Sequence, residues 1–201
     1  MIQCIDESEG MVLSKEFKLG AISEVEISNL KVNLDRRGSL VAKSSNASNL
    51  VTKVGFETKE FFFTNSSVNT FRGVHLQQTS HEVGKIVTLI SGRITDFLVD
   101  VRIHSETFLN VLITEIDEDS PSSIYIPPGV GHGYFCWEDN TRVLYQYDDE
   151  FCSICDTGFS GTSLDKFLDF DWDKAIISEK DRALPPFDDI FLRKIDHDAH
   201  N

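Results

Sequence analysis

From residue 71 to residue 147 the chain is divided into short runs rich in Val, Ile, Leu and Phe by polar or glycine-containing breaks, and this punctuation constrains the fold more than any other feature. Five such runs lie between Lys85 and Tyr147, broken at Gly92, at His104-Ser105, and over residues 117–122, 129–131 and 138–140. Short, evenly spaced strands punctuated in this way specify an all-β antiparallel sandwich or barrel. On such a barrel His75, Lys85 and Tyr145 fall where their side chains face into its mouth.

A chain of 201 residues and 22.7 kDa fits one domain of this kind with elaborations. Residues 1–20, with breaks at Gly10 and Gly20, are expected to form an irregular or single-strand N-terminal extension, and residues 21–201 a single domain. From Ile22 to Leu34 apolar and polar residues alternate, which predicts one or two edge strands. They end at Asp35-Arg36-Arg37-Gly38, a turn in which the glycine accepts positive φ and the arginines project. Residues 43–53 are rich in Ser and Asn and read as a loop with one helical turn, whereas Phe61-Phe62-Phe63 reads as a buried strand or a subunit interface. Leu164, Phe167 and Leu168 stand at i, i+3 and i+4, enough for a short amphipathic helix. Residues 177–187 read as a loop packing back on the barrel, and His197 and His200 as frayed surface residues.

Nineteen Lys and Arg against thirty-three Asp and Glu give a net charge of −14, which repels polyanions and argues against a nucleic-acid partner. A small diphosphate is not excluded, because two or three cationic side chains in one pocket bind it whatever the global charge. No apolar run approaches the roughly 20 residues of a spanning helix, and the start, Met1-Ile2-Gln3-Cys4-Ile5-Asp6-Glu7, is acidic where a signal peptide is basic. These features predict a cytoplasmic protein without membrane attachment. Of Cys4, Cys136, Cys152 and Cys155, only the last two form a Cys-x-x-Cys pair. With neither a second pair for zinc nor a βαβ context for thioredoxin-type chemistry, reduced thiols are expected.

A His and a Lys ten residues apart on inward-facing positions, with a Tyr from a third strand, suit proton transfer. Histidine is the usual base near neutral pH, a lysine offsets developing negative charge, and a buried tyrosine donates a proton. Each also suits a structural role on a strand. The competing reading is metal. Pro127-Pro128-Gly129-Val130-Gly131-His132 fits the Pro-x-Gly-x-x-His half of the metal-binding cupin pattern. The other half fails, because Gln77 stands where a second His would follow His75, and Glu82 is off the spacing.

Phe71-Arg72-Gly73-Val74-His75-Leu76-Gln77, Gly84-Lys85, the segment from Asp96 to Arg102, Ser105-Glu106-Thr107-Phe108, the segment from Ile126 to Tyr134, and Leu144-Tyr145 occur in one order. Together they resemble the dTDP-4-dehydrorhamnose 3,5-epimerase family, the nucleotide-sugar epimerase branch of the cupins. The likeness extends from Ile22 through the Asp-x-Arg-Gly turn to Asp171-Trp172 and Ser178-Glu179-Lys180-Asp181, about residues 22–190. It implies a cupin-type jelly-roll barrel with a few short helices, a homodimer that exchanges N-terminal strands, and neither metal nor cofactor. The implied substrate is a 4-keto-6-deoxy nucleoside-diphosphate sugar, epimerised at C3 and/or C5. By the resemblance, His75 is the base, Asp181 orients it, Lys85 lies beside the enolate oxygen and Tyr145 is the acid. Arg72 then binds diphosphate, Arg37 reaches the partner's ligand, and His132, Gln77 and Asn65 complete the substrate contacts. Ser39-Leu40-Val41-Ala42 replaces the family's Phe-rich run and Glu, and Phe151 replaces a second Tyr, which points to an altered nucleotide or sugar. A metal-dependent cupin enzyme and a non-catalytic sugar-nucleotide-binding protein are the alternatives.

Overall fold

The computed structural model describes residues 16–42, 50–77 and 81–188, and within them thirteen strands, numbered in chain order, form two sheets and a separate hairpin. One sheet has the order β1 (Lys18–Leu19), β9 (Asn110–Asp117), β8 (Arg93–Asp100), β11 (Val130–Cys136), β6 (Phe71–Gln77) and β13 (Asp156–Gly158). The other has the order β2 (Glu26–Asn29), β10 (Ser122–Ile126), β7 (Lys85–Ser91), β12 (Thr141–Tyr147) and β5 (Glu60–Ser66). The strands β3 (Lys31–Asp35) and β4 (Gly38–Ala42) pair with each other around the Arg36-Arg37 turn. Facing sheets of antiparallel strands make the expected jelly roll, with β1 on β9 as a parallel pair. The five expected runs become six strands, β7 to β12, because each of the five breaks falls at a boundary between two strands.

Period-two alternation decides what each sheet buries. Along β8, Ile94 and Leu98 enter a core between the sheets with Val87, Leu89, Ile124 and Val143. Phe97 and Val99 face the other way, into a second core with Phe71, Val74, Phe135, Phe159, Leu164 and Leu168. That second core exists because the chain after β13 folds back over the outer face, through a 3-10 helix (Gly161–Phe167) and the rings of Phe170 and Trp172. Phe170 stacks on Phe135 at 4.3 Å and Trp172 packs on Phe71 at 5.0 Å. The outer face of the five-stranded sheet has a smaller cover, in which α1 (Leu50–Val54) sets Leu50 against Phe56 and Ile86.

Several expectations change. The single strand allowed for the N-terminal extension is β1, but it is paired into the six-stranded sheet, and Phe17 beside it packs on Phe187 at 4.6 Å and on Phe159 at 6.0 Å. An aromatic side chain with an apolar surface available supplies enough burial to hold a short terminal strand. The segment 177–187 packs back as expected but contains a short helix, α2 (Glu179–Arg182), whose N-cap Ser178 accepts a hydrogen bond from the Asp181 N–H. Cys152 and Cys155 are joined in a disulfide rather than left as thiols. The turn between them, closed by the Cys155 N–H donating to the Cys152 carbonyl at 3.1 Å, brings their Cα atoms to 5.2 Å, within disulfide reach. Cys136 is a buried free thiol, and Cys4, His197 and His200 lie outside the described residues. Among the described residues no helix is long and apolar enough to cross a membrane.

Candidate active site

A cavity of about 300 Å³ opens between the sheets, and both sheets and α2 line it. The six-stranded sheet contributes Arg72 and His75 from β6, His132 from β11 and Asp156 from β13. The five-stranded sheet contributes Phe62 and Thr64 from β5, Lys85 from β7, and Tyr145 and Tyr147 from β12. Ser178, Lys180 and Asp181 close one side.

Arg72 and His75 are three residues apart, so strict alternation would send them to opposite faces. An irregularity in β6 reconciles them: His75 stands opposite His132, yet Arg72 stands opposite Tyr134, so β6 has one more residue than β11 over this stretch. A bulge of this kind re-aims side chains. It falls at Gly73, whose φ is +113° and where an added Cβ would lie 2.6 Å from the His132 carbonyl oxygen; another side chain is excluded by both conformation and space.

The bulge also sets up the histidine. Nε2 of His75 is 3.0 Å from Oδ1 of Asp181, and the other Asp181 oxygen accepts the Gly73 N–H at 3.3 Å. With Nε2 donating to the carboxylate, Nδ1 is left as the lone-pair nitrogen. It is buried, makes no hydrogen bond among the described residues, and lies 3.7 Å from Oδ1 of Asp156. Burial raises the Asp181 carboxyl, but the hydrogen bond and charge of His75, with the Gly73 N–H and the Ser178 hydroxyl, outweigh it and hold that carboxyl below its ordinary value. Asp156 in turn pairs with Lys180.

Across the cavity, Lys85 is buried at the start of β7, with Nζ donating to the His75 carbonyl at 3.4 Å. Burial pulls its pKa down to about 8, against the attraction of Asp156 and Asp96. Tyr145 stacks on Phe62 at 4.9 Å and meets the His132 ring edge-on at 5.9 Å. Burial, reinforced by Tyr134 and Tyr147, pushes its hydroxyl well above the ordinary tyrosine value, so it keeps its proton through the neutral range. His132 is buried, with Nε2 bonded to Asp96 at 2.7 Å; burial lowers its pKa although Asp96 opposes the shift.

The fold thus gathers His75, Lys85, Tyr145, Asp181, Arg72 and His132 around one space. Three other expected residues fall elsewhere. Gln77 is buried beside the cavity, and its side-chain oxygen accepts the Cys152 N–H at 2.8 Å. Asn65 lies on the outward face of β5, because alternation gives the inward face to Phe62 and Thr64. Arg37 is at the exposed tip of the β3–β4 hairpin, bonded to Asp35 at 2.6 Å. The cavity also recruits residues not anticipated. Tyr147 follows from alternation past Tyr145, whereas Phe62 and Thr64 lie on the face of β5 opposite to the one expected from Asn65. Asp156 carries no local signal, since only the pairing of β13 with the end of β6 brings it to His75.

The sequence profile of the family described as dTDP-4-dehydrorhamnose 3,5-epimerase matches residues 20–189. The chain belongs to that family. The dTDP-4-dehydrorhamnose 3,5-epimerase of Mycobacterium tuberculosis is 33% identical over 135 residues, a match spanning 62% of this chain and 63% of that protein. The chain therefore covers just under two thirds of that relative's length. The crystal structure of a dTDP-4-dehydrorhamnose 3,5-epimerase from Sulfolobus tokodaii is similar with a TM-score of 0.72 and 29% identity, over 89% of this chain and 96% of that one. The dTDP-6-deoxy-D-glucose-3,5-epimerase from Legionella pneumophila, in complex with dTDP-4-keto-L-rhamnose, shares the fold with a TM-score of 0.74 at 23% identity, over 87% of this chain and 94% of that one. The motif resemblance in the sequence points to this same family.

The electrostatics of Lys85 can be read directly. In protein labelled with 13C at lysine Cε, one resonance is expected to titrate near pH 8, charged below and neutral above, and to be missing from Lys85→Met. If every lysine Cε in the wild type titrates near the ordinary value of about 10.4, the buried, desolvated environment described for Lys85 is wrong.

Proposed function

We propose that this protein is an isomerase acting on a 4-keto-6-deoxy nucleoside-diphosphate sugar, inverting C3 and/or C5 in deoxysugar biosynthesis. The observation that carries the reading is the His75–Asp181 pair on one side of a cavity whose other side holds a buried Lys85 and a protonated Tyr145. Membership of the epimerase family supports it.

The chemistry follows from a ketone at C4, which acidifies the hydrogens on the neighbouring carbons. His75 takes one of these protons while its Nε2–H stays hydrogen-bonded to Asp181, and the freed electron pair is delocalised onto the C4 oxygen as an enolate. The Lys85 ammonium offsets that charge in a site sheltered from water. Tyr145 then gives its proton to the opposite face of the planar carbon, forming the inverted C–H bond, and recovers a proton from solvent as His75 releases its own. Arg72 and Lys180 supply positive charge for the diphosphate, for which a guanidinium's paired donors are suited. His132, fixed by Asp96, serves as a rigid wall of the sugar site.

A second copy of the chain completes the assembly in this reading. Leu34 and Leu40 on the β3–β4 hairpin are 79% and 67% exposed, and Phe61 and Phe63 on the edge strand β5 are 72% and 68% exposed. Each apolar side chain covered by a partner contributes about 1.5–3 kcal/mol. An exchanged hairpin would carry Arg37 toward the partner's cavity. A nucleotide-sugar substrate is in keeping with the cytoplasm.

In D2O, incubation with dTDP-4-keto-6-deoxyglucose and with its GDP and CDP counterparts should bring deuterium into C3 or C5 of at least one sugar, followed by proton NMR. His75→Asn should slow this by about 10²–10⁴-fold. A folded wild-type protein that exchanges no proton in any of the sugars would leave a binding role in its place. For the assembly, sedimentation velocity should find a dimer that Leu34→Asp combined with Leu40→Asp dissociates; a wild-type monomer at micromolar concentration would remove the exchanged hairpin.

A further inference from the structure

The sequence offered Cys152 and Cys155 as an isolated Cys-x-x-Cys pair with no third or fourth ligand at zinc spacing. The fold supplies what spacing could not. His81, 71 residues before Cys152, is brought beside the pair, and a ring nitrogen of His81 and the two sulfurs all lie within 4.8 Å of one another. Around a tetrahedral zinc ion, two thiolates and an imidazole stand roughly 3.5–3.8 Å apart, so the sulfurs must move apart once the disulfide opens, while the His81 nitrogen already lies within 4.8 Å of both. Burial is graded across the set: Cys155 is buried, Cys152 half-buried and His81 exposed, which leaves the outer side of the site open to water as a fourth ligand.

We propose that His81, Cys152 and Cys155 form a site for a soft divalent cation of the zinc type, available when the disulfide is reduced. Two thiolates and an imidazole are the donors such ions prefer over calcium or magnesium. The surroundings favour a cation. Asp148, Asp149 and Glu150 precede the pair with Phe151 between, and Asp149 lies close enough to His81 for their charges to interact. The site is also braced, since the Cys152 N–H donates to the buried Gln77 side chain and the Cys155 N–H to the Cys152 carbonyl.

Loading proceeds in two balanced steps. A thiol reductant of the glutathione class opens the disulfide: two reductant thiols are oxidised to their own disulfide, and Cys152 and Cys155 each gain a hydrogen. The cation then displaces two protons from those thiols and forms two metal–sulfur bonds and one metal–nitrogen bond. The disulfide closes a ring of only four residues, Cys152 to Cys155. Such a short loop gains little from restricting the unfolded chain, so little opposes reduction. The same turn carries Phe151 and leads into Asp156, both in the cavity wall, so an occupied site would brace one side of that cavity.

The test uses the full chain reduced with a phosphine, which takes up the oxygen of water as the two thiols form and does not itself compete for zinc. Thiol titration establishes reduction, and zinc alone is then offered against a chromophoric chelator. One zinc per chain is expected in the reduced protein and none in the oxidised protein. Cobalt in place of zinc should give a thiolate-to-metal charge-transfer band, a readout that needs no variant. Cys152→Ser and Cys155→Ser should abolish binding, and His81→Ala should weaken it by at least about 10-fold, with thermal melting to show that each variant is folded. The proposal is overturned if the fully reduced wild type binds no zinc, if cobalt shows no thiolate band, or if binding survives either serine variant or is unchanged by His81→Ala. None of these outcomes depends on the epimerase reading.

Discussion

The hydrogen bond between His75 and Asp181 joins residues 106 apart in sequence, and it holds only because the chain after β13 is tied to the outside of the six-stranded sheet. Phe159, Leu164, Leu168, Phe170 and Trp172 supply that tie by burying apolar surface against Phe71, Phe97 and Phe135. Full burial of each large side chain is worth about 1.5–3 kcal/mol, far more than the roughly 1.5–3 kcal/mol expected from one hydrogen bond to a charged group when the set is taken together. Packing on the outer face therefore positions a carboxylate inside the cavity, and the Ser178 cap fixes the turn from which it projects.

Charge is arranged by the same construction. The cavity holds Lys85, Arg72 and Lys180 against Asp156 and Asp181 in a chain whose net charge is −14. The cations are thus local, placed by strand alternation and by α2, and the overall acidity does not oppose a diphosphate there. Burial acts on Lys85 and Tyr145 in opposite chemical senses. It makes the ammonium easier to neutralise and the phenol harder to ionise. A new negative charge between them would be met by the ammonium, while the phenol still has a proton to give.

Strand positions were legible because Gly92, the turn at residues 117–122 and the Pro-Gly segment before His132 are local signals, and alternation then assigned His75, Lys85 and Tyr145 to one interior. The link from His75 to Asp181 was legible through family resemblance alone, since no spacing rule connects them. What stayed hidden was set by pairing between distant segments. Asp156 reaches His75 through the β13–β6 register, and His81 reaches the cysteine pair through the return of the chain after β12. The docking of β1 on the sheet stayed hidden too, because a two-residue strand anchored by Phe17 has no period to detect. Asn65 went to the outer face by one step of alternation, the smallest error a strand permits.

The central claim is a division of labour, with proton removal from one sheet and proton return from the other. It is tested most directly by following deuterium entry and inversion separately in Tyr145→Phe, on whichever 4-keto sugar the wild type turns over in D2O. With His75, Asp181 and Lys85 in place, deuterium should still enter the carbon beside the ketone, returned on the face it left, while the inverted product falls by about 10²-fold or more. Loss of exchange and inversion together, or inversion at the wild-type rate, would contradict the two-sided site.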